Sequence, residues 1–343
     1  MYVLISTRQR KMMVFKLFKN SLLHYLSLLL VLQGSMEFVV GKVAPNETTL
    51  IFYYGPQFED SMRYELSDAT EILKNPHFNA KGQIHLYLHG FKESQDSESV
   101  HIVVESYLKR KDINIITVDW AKAAGEQYVE AATKNIELLG VALSEVIMKL
   151  YNAGIDRKNL NVVAHSLGAQ LAGKIGRNII LKSNGTDKIY RMAVLDAAFP
   201  LFFPGFLQTV NKNDAEFLQA IHTDIGTYGQ PFTIGHVDFW PNGGRQGQPG
   251  CPQGIIIPLS KEDLCSHHRS WRFWAESVAD VNDSSPKFLG FPSGTYLQFL
   301  AAGKGNLKNK PVEMGINCPM SARGNYYLKT NSQSPFARGM DGY

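Results

Sequence analysis

The sequence predicts an α/β domain in which a mostly parallel central sheet carries helices on both faces. Short β-branched runs alternate with helical stretches along the chain, and this alternation is typical of parallel sheets. The longest amphipathic stretch, 132–154, repeats its apolar residues every three or four positions and stops at Gly154. The 343 residues are 44% hydrophobic and 19% charged, an ordinary globular balance. No repeat or low-complexity linker follows residue 45, so we expect one domain over 45–343.

The first 34 residues have the organisation of a secretory signal peptide. Basic residues precede the apolar run "SLLHYLSLLLVLQG", which is too short to span a bilayer comfortably. An uncleaved signal anchor is the alternative, and a start at Met12 or Met13 would shorten the basic stretch. Cleavage after Gly34 removes five cations and no anion, which changes a formal charge of +4 to −1. We therefore expect a secreted, extracellular protein and no nucleic-acid partner.

The cysteines and the glycosylation sequons fit secretion. Cys251 and Cys265 enclose a short stretch. A disulfide between them would close a surface loop and leave Cys318 unpaired. Candidate N-glycosylation sites stand in polar stretches at Asn46, Asn184 and Asn282. Such tripeptides often arise by chance, so they support secretion only weakly.

Strands and helices can be assigned in chain order. "TTLIFYYG" and "QIHLYLHGF" are strand-like, a helical pattern covers 96–111, and "INIITVDW" follows as the next strand. After the long helix come the strand "NLNVVAHS", the helix "LGAQLAGKIGRNI" and the strand "IYRMAVLDAAFP". The region 226–260 is rich in Gly and Pro and is expected to form loops. In such sheets, loops at the carboxyl ends of the strands carry function.

The stretch "NVVAHSLGAQ" places Ser166 between a strand and a helix. This order is the context of the nucleophile elbow G-x-S-x-G, where a strained turn exposes the serine. Gly168 leaves room for the helix to pack on the strand, whereas Ala164 replaces the first Gly of the motif. One methyl group is compatible with the turn if Ala164 keeps an ordinary φ. Ser166 is therefore the candidate nucleophile, and the alternative is a small residue at a tight turn.

The acid and base that activate a serine should follow it in the order acid, then histidine. Asp196 ends the strand after the elbow helix, although a turn carboxylate is its structural alternative. Asp119 precedes the serine and Asp224 lies in a loop, so both are weaker candidates. A catalytic imidazole must reach both the serine and the acid. His267 and His268 are adjacent in "DLCSHHRSWRF", and spacing alone does not choose between them.

Two backbone N–H groups are candidates for an oxyanion hole. Leu167 opens the elbow helix, where the helix dipole favours negative charge, and Phe91 follows Gly90 in "LYLHGF". His89 in the same stretch is interpreted as structural. No HExxH or CxxC spacing occurs, so no metal and no cofactor is expected.

Several motifs together resemble the pancreatic (neutral) lipase family, and most of all its insect secreted members. They are "HGF", "VDW", "AHSLGAQLAG", "LDAAFPLF", "IHTD", "GHVDFWPNGG", "CSHHRSWRFWAESV" and "SARGNYYLKTNSQSPFA". The resemblance covers about Thr48 to Ala337. It implies an α/β-hydrolase fold and a triad of Ser166, Asp196 and His267, because His267 holds the family's C-x-H-x-R position. It also implies a Cys251–Cys265 bridge that closes a lid loop.

Some positions depart from the family pattern. Ala197 and Phe199 replace a Pro and a Gly of the family's D-P-A-G-P, and Phe199 would narrow the pocket. Asn211 stands where the pancreatic members have a calcium-ligating acid, so no calcium is expected. Because the chain ends shortly after Phe336, the C-terminal β-sandwich of the vertebrate digestive members is expected to be missing.

The resemblance also implies a substrate class. The 251–265 loop and the segment "IHTDIGTYGQPFTIGHVDF" are short, as in phospholipase A1 members rather than triglyceride lipases. We therefore expect a lipase or phospholipase A1-like ester hydrolase that acts in lipid catabolism and prefers phospholipid to long-chain triglyceride. Its 251–265 loop would contact lipid surfaces transiently. The alternative within the family is a non-catalytic, yolk-like lipid-binding or storage protein, and oligomeric state is not predicted.

Overall fold

A computed structural model of the protein describes residues 47–125, 127–253, 257–279, 285–302 and 310–343. The predicted signal peptide 1–34 lies outside the described residues, as do Asn46 and Asn282. Across the described ranges, no helix combines the length and the apolar character that a membrane span requires. The predicted glycosylation site Asn184 is described and lies exposed after a helix.

The strands of the described residues join one sheet. They are β1 (Thr49–Tyr53), β2 (Ser61–Glu65), β3 (Gln83–Leu88), β4 (Ile113–Asp119), β5 (Leu160–His165), β6 (Ile189–Leu195), β7 (Ala215–Ile221), β8 (Val237–Pro241), β9 (Leu289–Pro292), β10 (Val312–Glu313) and β11 (Gly324–Leu328). Their order is β10-β9-β11-β8-β7-β6-β5-β3-β4-β1-β2. The neighbours from β4 to β11 pair in parallel, and antiparallel pairs occur at the two sides of the sheet. The predicted mostly parallel sheet is confirmed.

Among the described residues, five α-helices of seven or more residues accompany the sheet. They are α1 (Glu98–Leu108), α2 (Ile136–Asn152), α3 (Leu167–Lys182), α4 (Cys265–Ala279) and α5 (Tyr296–Ala302). Short helical segments precede α2 at Ala121–Gly125, Tyr128–Glu130 and Ala131–Asn135. Single 3₁₀ segments lie at Leu66–Lys74, Arg157–Asn159, Lys212–Asp214 and Gly339–Gly342.

The two largest apolar cores of the described residues lie on opposite faces of the sheet. Because side chains alternate along a strand, Leu50 and Phe52 of β1 enter one core, while Ile51 and Tyr53 enter the other. Helices α2 and α3 supply the first core, and α1 and α4 supply the second. The sheet is therefore covered by helices on both faces, as the alternation of strands and helices predicts.

The prediction that the region 226–260 forms only loops is wrong for one segment. Residues 237–241 form β8, which pairs in parallel with β7 and β11. All five of its residues are buried. The Gly and Pro density that indicated loops belongs to the flanking turns, whereas "VDFWP" is apolar enough to be buried between two strands.

The topology brings the predicted site residues to one edge of the sheet. Strands β3, β5 and β6 are parallel neighbours, so their carboxyl ends meet at the same edge. The loops that follow them carry Phe91, Ser166 and Asp196. Helix α4, which packs on α1, brings the two adjacent histidines of "CSHHRS" into the same region.

Candidate active site

Ser166 occupies a strained turn between β5 and α3. Its backbone has φ 54° and ψ −120°, a region that costs a non-glycine residue on the order of 1–3 kcal/mol. The turn is held by the Ser166 N–H, which donates to Leu195 O at 3.1 Å. The Ser166 carbonyl accepts from the N–H groups of Ala169 and Ala198. This geometry is that of a nucleophile elbow, where strain presents the hydroxyl at the end of a strand.

The residues two positions before and two positions after Ser166 explain why the turn tolerates an alanine in place of the first glycine of the motif. Ala164 is fully buried inside β5 and pairs with Val194, so its methyl group lies in an ordinary strand. Gly168 cannot be enlarged in the same way, because a Cβ there would lie 2.4 Å from His89 O. The small residue that the elbow requires in this chain is Gly168.

Asp196 and His267 form a buried pair beside the elbow. Nδ1 of His267 donates to Oδ2 of Asp196 at 2.6 Å, and neither residue is more than 3% exposed. The other carboxylate oxygen, Oδ1, accepts the N–H groups of Thr223 at 2.7 Å and Asp224 at 3.1 Å. Two backbone donors thus fix the carboxylate, and the carboxylate fixes the orientation and tautomer of the ring.

Among the hydrogen bonds and ion pairs of the described residues, neither of the two weaker acids is bonded to His267. Asp119 ends β4 and forms an ion pair with Arg63 at 2.7 Å. Burial, with the charges of Asp196 and Asp263 nearby, raises the pKa of Asp224 well above its ordinary value. A raised pKa disfavours the charged carboxylate that would stabilise an imidazolium. Asp196 is therefore the acid that the geometry favours.

His267 and His268 have different surroundings although they are adjacent in sequence. The His268 ring lies 6.0 Å from the ring of His165 and 5.5 Å from that of Trp271. Burial, followed by the charges of His165 and His267, lowers its pKa to about 3. Burial also lowers the pKa of His267, although the hydrogen bond to Asp196 opposes this. His267 alone of the two is bonded to the acid.

One cavity joins the candidate nucleophile and base. It has a volume of about 330 Å³, and both Ser166 and His267 line it. Within the described residues, no hydrogen bond joins the Ser166 hydroxyl to His267, and such bonds are often long before a substrate binds. The apolar part of the wall consists of Phe91, Tyr128, Ala198, Pro200, Tyr228, Leu259, Leu264 and Trp271.

The predicted oxyanion donors belong to two separate segments, the start of α3 and the loop after β3. Leu167 is the first residue of α3, where N–H groups have no partner within the helix. Phe91 lies on the cavity wall beside Ser166. Among the hydrogen bonds of the described residues, neither the Phe91 nor the Leu167 N–H donates to another group. The oxyanion role of these two N–H groups stays a prediction.

His89 supports the loop that carries Phe91. Its Nδ1 donates to Gly90 O at 3.0 Å, and its carbonyl accepts the indole N–H of Trp120 at 3.2 Å. The two rings stack with centroids 5.5 Å apart. These contacts agree with the structural interpretation of His89.

The prediction that Phe199 narrows the pocket is not supported by the cavity wall. Ala198 and Pro200 line the cavity on either side of it, while the Phe199 ring lies 6.3 Å from Phe203 and 6.4 Å from Phe232. The Phe199 ring therefore belongs to an aromatic group with Phe203 and Phe232 and is not among the residues that line the cavity.

The 251–265 loop is fastened at several points. The predicted bridge between Cys251 and Cys265 is present, with Cα atoms 5.7 Å apart. The Tyr228 hydroxyl donates to Oδ2 of Asp263, and the same oxygen accepts the Leu259 N–H at 3.0 Å. Cys318 is a buried free thiol, and burial raises its pKa to about 12.

Asn211 and its neighbours form a closed turn. The Asn211 side chain accepts the N–H of Asn213, and Oδ2 of Asp214 accepts the Asn211 N–H. The same Asp214 oxygen receives Arg177 at 2.7 Å. Asn211 Oδ1 thus accepts a local hydrogen bond, and Asp214 Oδ2 accepts both a local hydrogen bond and a cation from α3.

Sequence reasoning missed two parts of the site. One is the pair of backbone donors to Asp196, which comes from the "IHTD" motif that follows β7. The other is Glu93, whose Oε2 accepts the Gly90 N–H and lies 3.1 Å from His165 Nδ1. A signal for it was present, because a carboxylate three residues after a turn glycine can accept the turn's N–H.

Comparisons with known proteins extend this description. The chain is 29% identical over 299 residues to rabbit pancreatic triacylglycerol lipase, covering 80% of this chain and 62% of that protein. It is 28% identical over 293 residues to rat phospholipase A1 member A, covering 79% and 60%. The chain thus spans about three-fifths of the length of these curated relatives. Both are mammalian, so the likeness to insect members stays a prediction.

Solved structures resemble the chain only in part. An α/β hydrolase from a deep-sea metagenome library, MGS-M1, is 16% identical with a TM-score of 0.32, covering 53% of this chain and 67% of that one. Acetyl xylan esterase from Aspergillus awamori is 13% identical with a TM-score of 0.32, covering 58% and 75%.

The family assignment rests on the sequence match along the chain. A family model described as Lipase matches residues 38–336. This span includes every described strand of the sheet and the elbow, acid and histidine segments. The chain therefore belongs to the Lipase family.

Proposed function

We propose that the protein is a secreted carboxylic ester hydrolase that cleaves acyl esters of lipids through Ser166, Asp196 and His267. The observation that carries the proposal is the 2.6 Å bond between His267 and Asp196 beside the cavity that Ser166 lines. Family membership and the names of the relatives, lipases and a phospholipase A1, support a lipid ester as substrate.

The proposed reaction follows from the positions of these groups. Ser166 Oγ attacks the acyl carbonyl while Nε2 of His267 takes its proton, and Asp196 stabilises the resulting imidazolium. The N–H groups of Phe91 and Leu167 hold the oxyanion, which lies in a cavity of mainly apolar side chains. His267 then gives its proton to the leaving alcohol, and water hydrolyses the acyl-enzyme. Each donor is expected to contribute about 2.7–4 kcal/mol to transition-state stabilisation.

Apolar side chains at the surface support contact with a lipid assembly. Phe206 is 60% exposed, Phe232 is 49% exposed and Ile257 is 77% exposed. Ile257 belongs to the 251–265 loop that we expect to contact lipid, and Phe206 and Phe232 extend the aromatic group of Phe199 and Phe203. Exposed apolar side chains that lie together indicate a surface that meets another apolar phase.

Secretion is proposed from the predicted signal peptide together with the disulfide. Cys251–Cys265 is a bond of the kind that persists in oxidising compartments. Asn184 is exposed and takes a backbone φ of 51° after α3, so a glycan would extend into solvent. The predicted cleavage after Gly34 can be checked by sequencing the amino terminus of the secreted protein.

The test of catalysis is the turnover of a short-chain p-nitrophenyl ester by the purified protein and by Ser166→Ala. We expect activity in the wild type and a fall on the order of 10⁶ in the variant, as in a comparable triad. An inactive wild type of native stability would favour the alternative, a non-catalytic lipid-binding or storage protein. Equal rates for both proteins would overturn the role of Ser166.

The substrate class is tested on matched phosphatidylcholine, triglyceride and galactolipid dispersions. The short 251–265 loop leads us to propose a phospholipase A1-like preference for phospholipid over long-chain triglyceride. A clear preference for triglyceride would contradict this part of the proposal and leave ester hydrolysis intact.

A further inference from the structure

We propose that Glu93 is a positioning residue that locks the oxyanion loop, residues 90–93, onto the segment that carries the nucleophile. This inference rests on the proposed function, since it concerns the geometry of that reaction. Glu93 lies between β3 and α1, and none of the triad motifs includes it.

A single oxygen of Glu93 links two separate parts of the site. Oε2 accepts the N–H of Gly90, at the start of the oxyanion loop. The same Oε2 accepts Nδ1–H of His165, the last residue of β5, at 3.1 Å. Because one atom makes both bonds, a shift that moves the loop away from β5 would lengthen the bond between Glu93 and His165. The carboxylate therefore couples the position of Phe91 to that of Ser166.

The loop packs on the elbow without spare room. A Cβ on Gly90 would lie 3.0 Å from Glu93 Oε2, 3.0 Å from Ser166 Cβ and 3.1 Å from His165 Nδ1. Such contacts are tighter than most real Cβ contacts, so the neighbouring atoms would have to move to admit a methyl group. The absence of a side chain at Gly90 lets the loop backbone reach the serine, and Glu93 holds it there.

Glu93 also fixes the His165 ring. The second ring nitrogen, Nε2, is buried and has no hydrogen-bond partner in the described part of the chain. The bond to Glu93 is thus the ring's polar anchor. The ring centroid lies 4.7 Å from that of His267, so a rotated His165 ring would no longer pack against the proposed base in the same way.

The carboxylate is well suited to this task. Its side chain is only 13% exposed, and burial alone would favour the protonated form. The charge of His165 and its hydrogen bond outweigh burial and lower the pKa of Glu93. Oε2 therefore remains an acceptor for both N–H groups, and charge-assisted bonds of this kind are stronger than neutral ones.

Two variants separate the geometry of Glu93 from its charge. Glu93→Gln keeps the side-chain length and an acceptor oxygen but removes the charge. Glu93→Asp keeps the charge but shortens the side chain by one methylene, so its oxygen cannot reach both partners. Glu105→Gln and Glu105→Asp are the matched controls, because Glu105 is exposed on α1 and does not line the cavity.

The readout is kcat and KM on a short-chain p-nitrophenyl ester, with thermal unfolding as a check of the fold. Misplacing a catalytic group by about 1 Å can cost on the order of 10² in rate. We therefore expect Glu93→Asp to lower kcat by about 10- to 100-fold and to change KM much less. Glu93→Gln should retain at least about a third of the wild-type kcat, as a preserved acceptor geometry requires.

The following outcomes would overturn the positioning role of Glu93. Unchanged kcat in Glu93→Asp would overturn the positioning role, and so would a larger loss in Glu93→Gln than in Glu93→Asp. A fall in kcat that the two Glu105 controls share would also overturn it. An inactive wild type would overturn the proposed function and this inference together, whereas an active wild type with a fully active Glu93→Asp overturns this inference alone.

Discussion

Nδ1 of His267 lies 2.6 Å from Oδ2 of Asp196, whereas the adjacent His268 contacts the rings of His165 and Trp271. Neighbouring residues of a helix point about 100° apart, so only one of two consecutive histidines can face the acid. This difference leads to predictions that treat the two residues separately.

Replacing each histidine with Gln should give unequal losses of activity. His267→Gln removes the proposed base and should lower kcat on the order of 10⁶, as in a comparable triad. His268→Gln changes the cavity wall and should lower kcat by no more than roughly tenfold, because it leaves the His267–Asp196 bond intact. Steady-state kinetics on a short ester measures both, and a larger loss in His268→Gln would contradict the assignment.

Asp196→Asn should lower kcat by about 10⁴ while the fold persists. The amide oxygen can still accept the N–H groups of Thr223 and Asp224, but the amide no longer favours the tautomer that leaves Nε2 of His267 free to accept a proton. Circular dichroism and thermal unfolding report the fold, and kcat reports the chemistry. A loss of less than about tenfold, far below the triad expectation, would rule out Asp196 as the acid.

The acid limb of the kcat/KM profile should have its midpoint below pH 6.5. Burial lowers the pKa of His267 from that ordinary value, and Asp196 opposes the shift only in part. The base must be neutral to accept a proton, so activity is kept as the pH falls and is lost only when the pH passes the lowered pKa. A midpoint at or above pH 6.5 would contradict the prediction that burial lowers the pKa of His267.

His85 should make the protein less stable in acid. Burial, with the charges of Arg191 and Arg110, lowers its pKa from 6.5 to about 3. Below the ordinary value the unfolded chain binds a proton that the folded chain does not, so stability falls as the pH decreases toward that lowered pKa. The slope for this one group is at most about 1.4 kcal/mol per pH unit.

Urea unfolding of the wild type and of His85→Gln at several pH values measures this slope. The variant should lose the part of the slope that His85 contributes, although the lost bond to Tyr107 lowers its overall stability. His77→Gln, the same substitution at an exposed position, is the control for the effect of replacing a histidine. Equal slopes in the wild type and in His85→Gln would refute the prediction.

The parts of the fold that sequence predicts are those with strong local patterns. The β-branched runs of β3, β4 and β5 and the amphipathic α2 are correctly predicted, because their burial pattern repeats along the element. β8 was missed because its five residues lie among turn-forming glycines. Its partners β7 and β11 come from distant parts of the chain, which no local pattern reveals.

The site divides in the same way. The order of strand, serine and helix in the sequence predicts the nucleophile elbow, because the turn at Ser166 involves only neighbouring residues. The selection of His267 over His268 and the role of Glu93 depend on which side chains meet across α4, β5 and the oxyanion loop. Those contacts join residues 72 and 71 positions apart, so spacing in the sequence could not specify them.

The central claim is that Ser166 is a nucleophile activated by His267 and Asp196. The most direct measurement is covalent labelling by a fluorophosphonate, with the modified residue located by peptide mass spectrometry. We predict a single adduct on Ser166 in the wild type, and labelling that becomes very slow in His267→Gln. A properly folded wild type that forms no adduct, or an adduct on another residue, would contradict the claim.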